Sequence, residues 1–268
     1  MADVGFARRD PDSLHLWWLG QSGFLVCWQG GTALFDPYLS DSLTRKYADT
    51  DKPHVRMTGR VVDPSRLGFV DVVTSSHNHT DHLDAETLRP MLEVNPSLQI
   101  LVAEANRDFA ARRIGVAPER LEVLDAGQSV RLSGFQFHAV PAAHEARDRD
   151  SLGRHLYLGF VMKAGPWTLY HSGDTVLYPG MAETLRPFGI DIAMLPINGR
   201  GLERRVSGNL WGREAAQLAS EIGARVTIPC HFDLFEFNTS TPDEFLKISA
   251  GLGISTRVLR QGERFSFG

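Results

Sequence analysis

Apolar and polar positions alternate along this chain in short runs bounded by glycine, proline and small polar residues, the pattern of a protein rich in strands. Residues 14–28 hold two such runs punctuated by Gly20 and Gly23, and Gly30-Gly31 turns the chain into a third at 32–35. An antiparallel meander is predicted there, ended by Pro37. Residues 40–68 are polar, carry Pro53 and Pro64, and show no periodicity. They read as a surface loop, and its length points to a lid or binding loop whose basic face would come from Arg45, Lys46, His54, Arg56 and Arg60. Residues 70–74, rich in valine, predict a buried strand.

Beyond it, Asp84 is placed to cap a helix over 85–92, a strand is predicted at 98–103, and a helix over 106–114 is closed by Gly115. A short strand follows at 121–124. Residues 129–132 and 135–140 predict a hairpin about Ser133-Gly134, and 157–163 and 167–170 another about Gly165-Pro166. Helices are expected over 181–186, 213–222 and 243–251, strands at 191–195 and 226–228, and closing strands at 256–259 and 264–267. These elements amount to an α/β protein with much antiparallel sheet. No Ser/Gly/Pro tract divides it, so one domain over residues 1–268 is expected.

Composition narrows the class. Of 268 residues, 43% are hydrophobic and 22% charged, enough apolar material for a sizeable core and against disorder. A net charge of -4 argues against a protein that coats nucleic acid. No apolar run approaches the roughly 18 residues of a membrane span, and the start lacks an apolar signal-peptide core. Cys27 and Cys230 do not make a disulfide framework. The expectation is a cytoplasmic protein with no nucleic-acid or membrane partner, acting on a small molecule; a homo-oligomer stays open.

The candidate chemistry lies just after the 70–74 strand, where Ser75-Ser76-His77-Asn78-His79-Thr80-Asp81-His82 packs three histidines and an aspartate together. Such groups at the mouth of a sheet cost several kcal/mol to desolvate unless something compensates. A divalent metal does so and favours these ligand types. Three more candidates follow predicted strands: His144, Asp174 and His231. Asp174 also fits a turn residue bonded to its own backbone, and His144 an exposed loop histidine. His231 competes with Cys230, since strand alternation would point the two to opposite faces.

The run from His77 to His82 resembles the signature loop of the metallo-β-lactamase superfamily of metal-dependent hydrolases. The stretch from Trp18 to Phe24, followed by Asp36-Pro37-Tyr38-Leu39-Ser40-Asp41, resembles its L-ascorbate-6-phosphate lactonase branch. The resemblance covers nearly the whole chain and implies a four-layer αββα sandwich. It also implies one metal site of His77, His79 and His144 and a second of Asp81, His82 and His231, bridged by Asp174. His231 is preferred over Cys230 on that ground, and Asp81 and Asp174 become the candidate catalytic carboxylates. The shell of imidazoles and carboxylates permits Zn²⁺ or Mn²⁺, and the branch favours manganese. Two such ions would generate a hydroxide nucleophile and polarise the bond under attack.

Substrate contacts are expected from the Gly-flanked loop at 196–201, chiefly Asn198 and Arg200, with Arg204 and Arg205 behind them. The loop resembles the corresponding one of the lactonases. The function expected is hydrolysis of a small anionic lactone, most simply a phosphorylated sugar lactone. A metal-dependent phosphodiesterase is the alternative, and a non-catalytic metal-binding scaffold the remaining class.

Overall fold

The computed structural model describes residues 2–201 and 207–268; Arg204 and Arg205 lie outside the described residues. A short helix α1 (Ala2–Ala7) precedes the meander of β1 (Leu14–Gly20), β2 (Gly23–Trp28) and β3 (Gly31–Phe35). Then come α2 (Ser42–Lys46), β4 (Val72–Ser75), α3 (Ala85–Val94), β5 (Gln99–Ala103), α4 (Arg107–Ile114) and β6 (Leu121–Leu124). The second half runs β7 (Ser129–Leu132), β8 (Phe135–Pro141), β9 (Leu158–Ala164), β10 (Trp167–His171), α5 (Met181–Leu185) and β11 (Ile192–Pro196). It closes with α6 (Gly212–Ile222), β12 (Val226–Cys230), α7 (Asp243–Leu252) and β13 (Arg264–Phe267).

These strands form two mixed sheets, one of seven strands in the order β13-β1-β2-β3-β4-β5-β6 and one of six in the order β12-β11-β10-β9-β8-β7. Period-2 alternation explains the long apolar runs of the first sheet, because both faces are covered. Leu16, Trp18, Phe24, Val26 and Phe35 join a core shared with Phe137, Phe160 and Leu169 of the second sheet. Their neighbours Trp17, Leu19, Leu25, Cys27 and Leu34 face the other way, where Leu88 and Met91 of α3 and Ala110 and Ile114 of α4 pack on them. Helices α5, α6 and α7 contribute Leu185, Leu218 and Phe245 to the core that holds the second sheet. Two sheets between helices make the αββα sandwich.

The strand directions decide where the chemistry can sit. In the first sheet β3 and β4 are parallel, and β1, antiparallel to β2 as β2 is to β3, runs with them. In the second, β10, β11 and β12 are parallel, and β8 runs with β10 because both are antiparallel to β9. The segments following β1, β3, β4, β8, β10, β11 and β12 therefore leave the two sheets at corresponding strand ends.

Local signals hold where they are local. Asp84 caps α3, its carboxylate accepting from the Glu86 amide and from Thr87 Oγ1, and Gly115 ends α4 in the left-handed region at φ 81°. The structure departs from the sequence reading in three places. Helix α1 was not signalled. The strand expected at 256–259 reduces to one bridge between Thr256 and Thr227. The 40–68 segment is no structureless loop: it holds α2 and a 3-10 turn at Pro64–Arg66, and an antiparallel bridge joins Arg56 to Phe235.

The shared core sets a test of the packing. Phe137 is fully buried, its ring 6.3 Å from Phe35 and 6.4 Å from Phe135. Phe137→Ala is expected to lower unfolding free energy by about 3–5 kcal/mol in urea titrations; a loss below about 1 kcal/mol would show that the sheets do not share a close-packed core.

Candidate metal centre

The residues following seven strands converge at this edge. After β4, His77 and His79 meet His144 from the segment after β8, with ring centroids 4.6 Å (His77–His79), 4.8 Å (His79–His144) and 5.3 Å (His77–His144) apart. Ligand atoms of these three lie within 4.8 Å of one another, as do those of Asp81, His82 and His231. Asp174, after β10, stands between the groups. Its Oδ1 is 3.2 Å from His82 Nε2, and its Oδ2 is 3.4 Å from His231 Nε2 and 3.9 Å from His144 Nε2. All seven candidate ligands named from the sequence thus come together.

Outer contacts aim the imidazoles. His144 Nδ1 lies 2.7 Å from the Gly208 carbonyl, which can only accept, so Nδ1 carries the proton and Nε2 offers its lone pair to the cluster. His82 Nδ1 lies 2.8 Å from Asp36 Oδ2, which turns Nε2 toward Asp174. Asp36 also accepts from the Ser76 amide, from Thr74 Oγ1 and from Ser76 Oγ, and is fully buried. Asp36, His77 and His82 form a third group of ligand atoms within 4.8 Å. Since Asp36 faces the far nitrogen of His82, we assign it to holding that ring. Gln21, in the β1–β2 turn, sends Nε2 to Asp81 Oδ2 at 2.9 Å and lies 3.0 Å from His231 Nε2.

The backbone is bent to allow this. Gln21, Asp36 and His231 all have positive φ (49°, 39° and 62°), a region non-glycine residues seldom adopt. His231 takes this conformation just past β12, where Cys230 stays in the core and His231 turns to the cluster, so the two face different ways as alternation requires. Gly173 has φ 59°, and a Cβ there would stand 2.7 Å from Ser76 Cβ, so glycine lets the Asp174 turn lie against the histidine loop.

The electrostatics fit a site made for a cation. Burial pushes His77 well below its ordinary value and lowers His79 too, favouring the neutral form that ligates metals. At His82 and His231 burial acts the same way, but the carboxylates of Asp174 and Asp81 outweigh it. His82 is raised well above its usual range and His231 to about 9. Burial alone would raise Asp81 and Asp174; His82 and His231 hold both well below the carboxylate range instead. His77 Nε2 is buried without a hydrogen bond among the described residues, and His82 Nε2 and Asp174 Oδ1, likewise buried, meet in an ion-pair contact at 3.2 Å. Ligand atoms this poorly partnered, all nitrogen or oxygen, suit a divalent ion.

The cluster floors a cavity of about 390 Å³. One wall carries Leu43, Tyr47 and His54 from the 40–68 segment with Phe235 and Phe237; another carries Phe109, Arg113 and Asn78. Of the basic residues expected from 40–68, Lys46 and His54 reach it, joined by Lys52. Arg56 instead pairs with Asp41 at 2.7 Å, and Arg45 pairs with Glu86. Arg200, expected at the substrate, does not line the cavity. Its Nη1 and Nη2 donate to Glu214 at 2.6 and 2.8 Å, so the guanidinium is committed to α6. Asn198 is buried and donates to Asn238, which does line the cavity. Asn209, in the 207–210 stretch that the sequence joins to the substrate loop, lines the cavity and accepts from the Thr175 amide, whereas Asp36 and Gln21 were not singled out from the sequence as site residues. They sit inside the 36–41 and 18–24 motifs respectively, the one signal that could have marked them.

A family model described as the beta-lactamase superfamily domain matches residues 17–232. The chain belongs to that superfamily. Members similar in sequence include the UPF0173 metal-dependent hydrolases of Caldivirga maquilingensis and Methylocella silvestris. The first is 27% identical over 91% of this chain and 93% of its own, the second 28% over 90% and 94%. Among solved structures, the metallo hydrolase Igni18 of Ignicoccus hospitalis superposes with TM-score 0.68 at 22% identity, covering 96% of this chain and 99% of that one. The isothiocyanate hydrolase from Delia radicum gut bacteria reaches 0.75 at 19% identity, covering 94% and 99%. These superpositions show the metallo-β-lactamase fold. No helix among the described residues is long and apolar enough to cross a membrane.

A pH dependence follows for the superfamily member stripped of metal. His231 rises from an ordinary 6.5 to about 9 on folding, so its contribution to stability is complete below pH 6.5 and lost as pH climbs through 9. The urea midpoint of chelator-treated protein is expected to fall over that window. A midpoint flat from pH 6.5 to 9 would mean that His231 is not paired with Asp174 and Asp81.

Proposed function

We propose that this protein is a metal-dependent hydrolase in which His77, His79 and His144 hold one divalent ion and Asp81, His82 and His231 a second. The reading rests on one observation above the others: Asp174 reaches members of both histidine groups, His144 of the first and His82 and His231 of the second. Ions held there lower the pKa of water and polarise the bond under attack. The donor set contains no thiolate, since Cys230 is buried in the core, and suits Mn²⁺ as well as Zn²⁺.

The chain's own groups handle protons and charge. Asp81 and Asp174 both line the cavity, so an oxygen of either can take the proton of an attacking water and return it to a leaving alkoxide. Gln21 holds Asp81 in place through its amide. Lys46, Lys52 and Arg113 line the same cavity and favour an anionic substrate. We read the reaction as opening of a small anionic lactone. The 18–24 and 36–41 stretches support this by their resemblance to the lactonase branch. A phosphorylated sugar lactone remains the simplest case, with its phosphate met by these cations instead of Arg200. Attack on a phosphodiester is the alternative outcome, and a complete ligand set speaks against a non-catalytic scaffold.

A panel of lactones and phosphodiesters, assayed with Mn²⁺ and Zn²⁺ before and after chelation, tests the reading. Turnover of anionic lactones, abolished by chelator and restored by metal, is expected; turnover of phosphodiesters alone would replace the lactonase, and activity indifferent to chelation would sink the metal mechanism. Asp81→Ala is expected to lower kcat/KM by more than the roughly 10- to 100-fold that loss of an outer partner costs, with the fold intact by circular dichroism. Wild-type turnover and metal content in that variant would remove Asp81 from the second site.

A further inference from the structure

Arg113 stands in the last turn of α4 and lines the cavity. Its Nη1 donates to the carbonyls of Asn78 at 2.5 Å and Leu83 at 3.3 Å, which fixes the guanidinium beside the histidine loop. The group lies 4.4 Å from the centroid of the Phe109 ring, itself part of the wall. Three other partly buried arginines have a carboxylate, Arg56 with Asp41, Arg154 with Asp150 and Arg200 with Glu214, whereas Arg107 and Arg120, which have none within 4.0 Å among the described residues, do not line the cavity. Arg113 has none within 4.0 Å among the described residues, and its Nε and Nη2 make no hydrogen bond there. Burial accordingly lowers its pKa, weakly opposed by Asp84. A partly desolvated cation without a counter-charge is unfavourable by itself. Here its free donors belong to a group already oriented, in a cavity large enough for a small molecule.

A second wall is built of rings. Tyr47 stacks on His54 at 4.4 Å, and His54 meets Phe235 at 5.0 Å and Phe237 at 5.7 Å. The two loops that carry them are tied by hydrogen bonds from Met57 N to the Leu234 carbonyl at 2.9 Å and from Glu236 N to the Val55 carbonyl at 3.0 Å. These rings are held as a surface before any ligand arrives.

We propose that Arg113 is the anion subsite of this cavity and that the Tyr47–His54 wall is its apolar subsite. The substrate class is then a small ester or lactone with a carboxylate or phosphate on one side and a ring or other flat apolar face on the other. This rests on the hydrolytic reading of the site, and binding separates the two. The probes are benzoate, terephthalate, its longer homologue 4-carboxyphenylacetate, and succinate, titrated calorimetrically into metal-loaded protein whose metal content has been measured. One carboxylate of each probe can meet the metal ions, and only the dianions offer a second.

The wild type is expected to bind one of the two aromatic dianions at least about tenfold tighter than benzoate, the scale of a charge-assisted hydrogen bond. Arg113→Gln should abolish that preference, and Arg113→Lys, which keeps the charge and a donor for the Asn78 carbonyl, should retain part of it. Tyr47→Ala should weaken the aromatic dianions and leave succinate unchanged. Absence of the preference in the wild type, its survival in Arg113→Gln, or its disappearance in a metal-loaded Arg113→Lys protein would overturn the anion subsite. Equal weakening of succinate and terephthalate by Tyr47→Ala would overturn the apolar one. Protein that binds no metal yet keeps the dianion preference would instead refute the hydrolytic reading and leave the subsites standing.

Discussion

Imidazoles and carboxylates buried at one edge of two sheets are the constraint on which the rest of the structure depends. His77, His82, Asp174 and His231 are almost wholly removed from water, and the carboxylate among them would not be tolerated there without a compensating charge. In the metal-free protein protons supply it: His82 and His231 are driven toward the charged form by the carboxylates they face. A divalent ion would replace those protons, so metal uptake and proton release are linked.

The fold supplies the convergence and spends backbone strain to complete it. Neighbouring parallel strands, and strands that share a direction across one antiparallel neighbour, deliver ligands from widely separated stretches to one place. Gln21, Asp36 and His231 each take a positive φ at that edge, while Asp36 and Gln21 hold the ligands from behind. Removing such an outer partner typically costs about 10- to 100-fold in metal affinity or activity, so these residues belong to the chemistry although the substrate need not touch them.

Legibility in the sequence follows the range of each interaction. The His77–His82 run was readable because its groups are contiguous and follow an apolar strand; His144, Asp174 and His231 were readable because strand ends announce themselves. Asp36 and Gln21 act on partners 46 and 60 residues away, and no local pattern records that. The 40–68 segment looked structureless because what fixes it is a bridge to Phe235, far along the chain. Arg200 looked like an anion grip because its Gly-flanked setting is local, whereas its partner Glu214 is met only when α6 folds back on the loop. Arg113 was not singled out within the helix expected over 106–114; its lack of a carboxylate is visible only in three dimensions.

The central claim is that Asp174 joins two metal sites into one centre. Elemental analysis of metal bound per chain, on wild type and Asp174→Ala prepared in the same Mn²⁺- or Zn²⁺-containing buffer, tests it most directly. The account predicts two ions per wild-type chain and at most one in the variant, with the variant still folded by circular dichroism. Identical stoichiometry in both proteins, or no bound metal in the wild type, would contradict it.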